Sequence, residues 1–257
     1  MRYFVKPPTN SLGVDLGHER DYTAVCLLEY SVLQTGERDR TDYHWIHEHR
    51  FHIRHIERIP LQTNYIVIAD YIRDFVSHPS LAHNTEVILD STGVGFPVWQ
   101  IITSRGISAT KIRSVKFTGG QSVTESEGHW HIPRRVLLSN LHTLLANGHL
   151  KIGRKVPLAS DLLDELNSLQ FRISRSGNDT IEPALSTDHD DLAIAAALSA
   201  YFPARNNPAV YPRMKGTHPN LNYSPPPQIP VIPPTSPITP DPSAMFLKGR
   251  KPWPKQF

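Results

Sequence analysis

Apolar and polar positions alternate along the first sixty residues and then give way to helical spacing. Ser11-Leu-Gly-Val-Asp15 is a short apolar strand, closed by a glycine turn at Leu16-Gly17-His18. Asp21 to Tyr30 is rich in β-formers and reads as a second strand, and polar residues from Gln34 to Asp42 predict a turn. Tyr43 to Ile59 alternates through Trp45, His47, Phe51, Ile53 and Ile56, which predicts a long third strand. Three successive strands with short polar turns predict an antiparallel meander.

From Asn64 to Val76 the apolar positions follow helical spacing, with Asn64 as the N-cap. Glu86-Val-Ile-Leu-Asp90 is a strand of the buried type. Ser91-Thr-Gly-Val-Gly95 turns it into a helix from about Pro97 to Ser104, and Lys111 to Phe117 is the next strand. Gln121 to His131 predicts a mobile loop or hairpin, with Trp130 favoured as its anchor over a base-stacking role. Pro133 to Asn147 is a helix ended by Gly148, and His149 to Ile152 a short strand. Ala159 to Leu169 is a helix, Phe171 to Ser174 and Thr180 to Glu182 are weak strands, and Asp190 to Tyr201 is an Ala-rich helix. A meander followed by strand–helix alternation predicts an α/β domain of the ribonuclease H-like class, a mixed sheet with flanking helices.

Composition divides the chain at Pro203. Of 23 prolines, 15 lie from Pro203 onward, where no period persists. That stretch carries seven basic residues and one acid, leaving 20 basic and 23 acidic residues in the body. The expected organisation is a domain over 1–203 and a basic, Pro-rich, disordered tail over 204–257. The sequence pI of about 9.0 is therefore a tail property and says little about the body. The single Cys26, inside an apolar run, excludes an intrachain disulfide and reads as a buried, inert thiol. No apolar run is long enough for a membrane span, and Met1 to Pro8 lacks a signal peptide's apolar core, so a cytoplasmic protein is expected.

Three acidic positions suit chemistry as well as packing. Asp15 and Asp90 each close an apolar strand ahead of a glycine-bearing turn; Asp190 and Asp191 open an apolar helix. Alone, each has a plainer role: a turn former for Asp15 or Asp90, a helix cap for Asp190. Together they would repel one another unless a cation offsets them, and oxygen-only donors suit Mg²⁺ or Mn²⁺. In a two-ion scheme Asp15 would bridge both ions, with Asp90 and either Asp190 or Asp191 completing one site each. His189, Asp21 and Lys116 are accessory candidates, and Arg134 and Arg135 are candidates for phosphate contacts.

Gly13-Val-Asp-Leu-Gly17 with Asp21-Tyr-Thr23, then Leu89-Asp-Ser-Thr-Gly-Val-Gly95, then His189-Asp-Asp-Leu192 before an Ala-rich helix resemble the nuclease domain of phage terminase large subunits. Val115-Lys-Phe-Thr-Gly-Gly120 and Ile132-Pro-Arg134 fall in the matching order. The resemblance runs from Ser11 to Pro203. It implies a ribonuclease H-like fold, two-metal cleavage of double-stranded DNA, and ligands at Asp15, Asp90 and Asp190 or Asp191. Terminases also carry an N-terminal ATPase. Here no G-x-x-x-x-G-K-[ST] loop occurs, so no ATP is expected, and a separately encoded packaging ATPase or portal-type protein would be the partner.

Two other classes fit parts of the pattern. A catalytically silent DNA- or protein-binding module would keep the fold without the chemistry. An actin-like ATP-binding fold would use Asp15-Leu-Gly17 as a phosphate loop, but its second glycine-rich loop is not visible. The histidines between His44 and His55 alternate across a strand, which predicts packed or solvated side chains rather than a metal cluster.

Overall fold

Alternation along the strands builds two cores, one on each face of a single sheet. The structure, a computed structural model, describes residues 3–17, 21–40, 43–82, 84–93, 95–107, 112–119, 122–173, 179–183 and 189–207. In chain order the elements are β1 (Tyr3–Phe4), β2 (Thr9–Asp15), β3 (Thr23–Arg38), β4 (Trp45–Ile59), α1 (Tyr65–Val76), β5 (Thr85–Asp90), α2 (Gly95–Ser104) and β6 (Ile112–Thr118). There follow β7 (Thr124–Ser126), β8 (His129–Pro133), α3 (Arg134–Ala146), β9 (Leu150–Ile152), α4 (Ala159–Ser168), β10 (Leu169–Ile173), β11 (Asp179–Pro183) and α5 (Asp191–Arg205).

The main sheet runs β7-β8-β6-β5-β2-β3-β4-β9, with β1 beside β3; β10 and β11 form a separate hairpin. β2, β3 and β4 are the antiparallel meander, and β5 and β6 continue it in parallel from β2. This mixed sheet, flanked by helices, has the strand order of the ribonuclease H-like class that the pattern predicts.

Leu12 and Val14 of β2, with Val87 and Leu89 of β5, pack toward α1 and α2. Ile88 and Val115 face the other way, into a core with α3, α4 and α5. Gly13 faces α5 at the closest point: a Cβ there would collide with the Ala195 carbonyl oxygen and lie 2.6 Å from the Ser199 nitrogen. The missing side chain lets the helix backbone rest on the strand. Ser11 Oγ donates to the Ser199 carbonyl at 2.6 Å beside it.

Two expectations change. β3 continues to Arg38 through the predicted turn, because β4 pairs with it and Arg38 lies 4.3 Å above the Trp45 ring. Of the two forms expected before α3, the structure has the hairpin, β7–β8, turned by Glu127 (φ 52°) and Gly128 (φ 76°), two left-handed residues that match strand twist. α5 runs to Arg205, beyond the predicted helix end at Tyr201, with Ala204 fully buried. Residues 208–257, the rest of the predicted tail, lie outside the described residues.

Other expectations hold. Asn64 accepts the Ile66 N–H at 2.8 Å as the α1 cap. Trp130 is an anchor, edge-on to Phe202 at 5.2 Å under the Arg205 guanidinium. Cys26 is buried, and burial pushes its thiol up to about 12. Tyr30 holds His49 at 2.8 Å and Glu57 holds His55 at 3.0 Å, so these histidines are packed into the sheet. Among the described residues no helix is long and apolar enough to cross a membrane.

Candidate acidic site

Side-chain parity decides where the strand-end acids point. Asp15 shares the face of Gly13, and Asp90 shares the face of Ile88, so both turn toward α5. Val14 pairs with Leu89 across the parallel β2–β5 ladder, which brings the two aspartates side by side. The turns behind them are fixed. Gly17 N–H donates to Thr23 Oγ1 at 3.0 Å, and a Cβ on Gly17 would collide with the Asp21 carbonyl oxygen. Thr92 N–H donates to Asp90 Oδ1 at 2.8 Å, Thr92 Oγ1 accepts Phe117 N–H at 2.7 Å, and Ser91 N–H reaches the Val115 carbonyl. Asp90 is thus a turn former as well as a cavity residue.

The N-terminus of α5 supplies the other acids. Asp190 stands at the N-cap position but makes no side-chain cap bond. Glu165 of α4 caps instead: its Oε2 accepts the Ala193 N–H at 2.8 Å. Asp190 is left to pair with Arg134, the first residue of α3. Asp191 is buried and accepts from Arg58 Nε at 2.8 Å; the same guanidinium holds Glu165 through Nη2. His189 is exposed, with Nδ1 3.9 Å from Asp191 Oδ1 and its ring edge-on to Tyr22 at 5.7 Å.

A cavity of about 570 Å³ opens between these elements, lined by Asp15, Asp21, Asp90, Asp190 and Asp191, with Arg134, His189, Tyr22, Thr92 and Phe117. Its charge balance is strongly negative. Burial first, then the charges of Asp90 and Asp191, hold the Asp15 carboxyl well above its usual range against the pull of Arg134. Burial pushes Asp90 up to about 6 although Thr92 and Arg134 pull it down. Behind the cavity wall, burial and the Asp191 charge push Glu165 up to about 7 against the bonds from Ala193 and Arg58.

Among the described residues no three His, Cys, Asp or Glu side chains form a ready-made ion cage. The donor set nevertheless suits a hard divalent cation: it is all carboxylate oxygen, crowded and desolvated, and Arg58 and Arg134 offset its ionised form only in part. Arg134 supplies part of the counter-charge in the arrangement described.

Of the candidates read from sequence, Asp15, Asp90, Asp190, Asp191, His189, Asp21 and Arg134 all line this cavity. Lys116 does not. Its neighbours on β6, Val115 and Phe117, pack on the α5 side, so strand alternation turns Lys116 to the opposite face, near His129. Arg135 is also outside the lining. Arg58, Glu165 and Tyr22 are not among those candidates. Arg58 was one polar residue in an alternating strand. Glu165 carried a signal: it falls on the stripe with Leu162 and Leu169, where an apolar residue is the usual occupant.

Fold and cavity together define a ribonuclease H-like α/β domain with an acidic cleft at the carboxyl ends of β2 and β5. No protein-family model and no curated protein sequence matches the chain. Among solved structures, the chain is similar to the large terminase nuclease from thermophilic phage G20c with bound magnesium, at 20% identity and TM-score 0.49, over 77% of this chain and 86% of that one. The cobalt-bound form aligns over the same shares at 19% and 0.49. The Thermus phage P74-26 large terminase nuclease domain aligns at 19% and 0.47, over 77% and 83%.

Proposed function

We propose that this domain is a divalent-metal-dependent endonuclease acting on double-stranded DNA, of the terminase nuclease type. The observation that carries the reading is the convergence of Asp15, Asp90 and Asp191 from three elements on one cavity, with the carboxyls of Asp15 and Asp90 held above their usual range. Asp15, Asp90 and Asp191 would hold two Mg²⁺ or Mn²⁺ ions, with Asp190 as the alternative third acid. Bound there, the ions would lower the pKa of a water nucleophile and stabilise the leaving oxygen of a phosphodiester. Asp15, whose carboxyl feels the charges of both other acids, would be the shared ligand. His189 and Asp21, exposed residues of the lining, would orient water. Arg134 would exchange Asp190 for a DNA phosphate.

The test is plasmid DNA incubated with purified protein and Mn²⁺ or Mg²⁺. Wild-type protein should nick or linearise it, and Asp15→Asn and Asp90→Asn should not. Cutting by both variants would place the chemistry elsewhere. The Arg134–Asp190 ion pair favours one other reading, a silent module in which arginine supplies the counter-charge. DNA retention without metal-dependent cutting across a range of salt would establish it. ATP binding has no comparable support in the cavity, and a packaging ATPase as partner remains a proposal resting on the motifs alone.

A further inference from the structure

Asp191 does not reach the cavity as an independent side chain. Its Oδ2 accepts from Arg58 Nε at 2.8 Å, and the other arm of that guanidinium grips Glu165. Glu165 is itself fixed, because its second oxygen accepts the Ala193 N–H at 2.8 Å, two residues beyond Asp191 on the same helix. The guanidinium also lies 5.4 Å from the Tyr22 ring centroid, and Tyr22 lines the cavity. The result is a closed loop: Asp191 to Arg58, Arg58 to Glu165, Glu165 to the first turn of α5. Strand β4, helix α4 and helix α5 each contribute one member. Two buried carboxylates share one half-buried guanidinium, an arrangement that well-packed apolar groups often match in stability.

We infer that Arg58 and Glu165 are positioning residues, a clamp that fixes which oxygen of Asp191 faces the cavity. Holding Oδ2 back leaves Oδ1, on the His189 side, as the oxygen presented to a cation. Arginine suits this role because its planar fork holds two carboxylates at set angles, which a lysine cannot do. The inference rests on the metal-site reading above and predicts a graded effect on ion affinity. Losing such a support typically weakens metal binding tenfold to a hundredfold.

The experiment is Mn²⁺ titration of the full chain by calorimetry, with thermal unfolding and circular dichroism on the same samples. Arg58→Met and Arg58→Lys should retain the wild-type spectrum and bind Mn²⁺ about tenfold or more weakly. Glu165→Gln keeps an oxygen for the Ala193 N–H and should fall between them and wild type. A purely structural role predicts the reverse split, a lowered melting temperature with unchanged Mn²⁺ affinity in the folded variants. If Arg58→Met does not fold, Arg58→Lys and Glu165→Gln carry the comparison. Wild-type affinity in all folded variants, with binding lost in Asp15→Asn, would overturn the clamp and leave the metal site standing. No Mn²⁺ binding by the wild type would overturn both.

Discussion

Asp15 and Asp90 end neighbouring parallel strands and line the same cavity. Burial is the first cause of the raised pKa at both carboxyls, and at Asp15 the charge of Asp90 adds to it. A binding site of this kind destabilises the empty protein at neutral pH and is relieved by a cation or by removal of one charge.

Asp90→Asn should therefore abolish cutting while making the cation-free protein more stable. Asparagine keeps the acceptor for Thr92 N–H and removes the charge. The sign follows from the shift: Asp90 moves from 3.8 unfolded to about 6 folded. Its carboxyl is harmless below the unfolded value, and stability is lost as pH rises through the folded one. The gain should be roughly 2 to 3 kcal/mol at pH 8 and shrink toward pH 5. Melting curves in chelator at both pH values test it; a variant melting below wild type at pH 8 would contradict it.

Divalent cation should raise the melting temperature of the wild type. At a hundredfold excess over Kd the gain is about 2.7 kcal/mol, or ~5–10 °C for a domain of this size. Chelator should reverse it. Asp15→Asn should show little response, since the Asp15 carboxyl feels the charges of both other acids. An equal response in that variant would mean the ions bind elsewhere.

Gly13→Ala should be among the most damaging single substitutions outside the cavity. The added methyl would strike the Ala195 carbonyl and crowd Ser199, where neither backbone can retreat. A loss of ~3 kcal/mol or more is expected, with α5 lifted from β2. Denaturant unfolding measures it, and a loss below 1 kcal/mol would show that the helix can shift.

Cys26 should be inert in the native protein. Burial beside Ser199, whose Oγ lies 3.6 Å from the sulfur, pushes the thiol up to about 12. A chromogenic disulfide reagent at pH 8 should find no thiol in the folded chain and one after guanidinium unfolding. Rapid native labelling would mean this core opens readily.

The end of the folded body can be located by truncation. A chain ending at Pro203 loses buried Ala204 and the Arg205 guanidinium over Trp130, whereas a chain ending at Asn207 keeps both. The shorter chain should be less stable by about 1 to 2 kcal/mol. Equal melting temperatures would keep the boundary at Pro203.

Local patterns determined much of this protein. Alternation from Ser11 to Ile59 gave the meander, the run Val87-Ile-Leu89 gave a doubly buried strand, and Asn64 marked a helix start. Asp15, Asp90 and the Asp190-Asp191 pair were legible because acids at the ends of apolar elements are conspicuous. What each acid does was decided by contacts between distant segments. Position alone makes Asp190 a helix cap, but Glu165, 28 residues before Ala193, takes that bond and leaves Asp190 to Arg134. Asp191 is oriented by Arg58, 133 residues away, a pairing that no local spacing encodes. Lys116 looked as near the site as Phe117, yet pleating put them on opposite faces of the sheet. Elements follow from short-range periodicity; the site follows from which faces the sheet brings together.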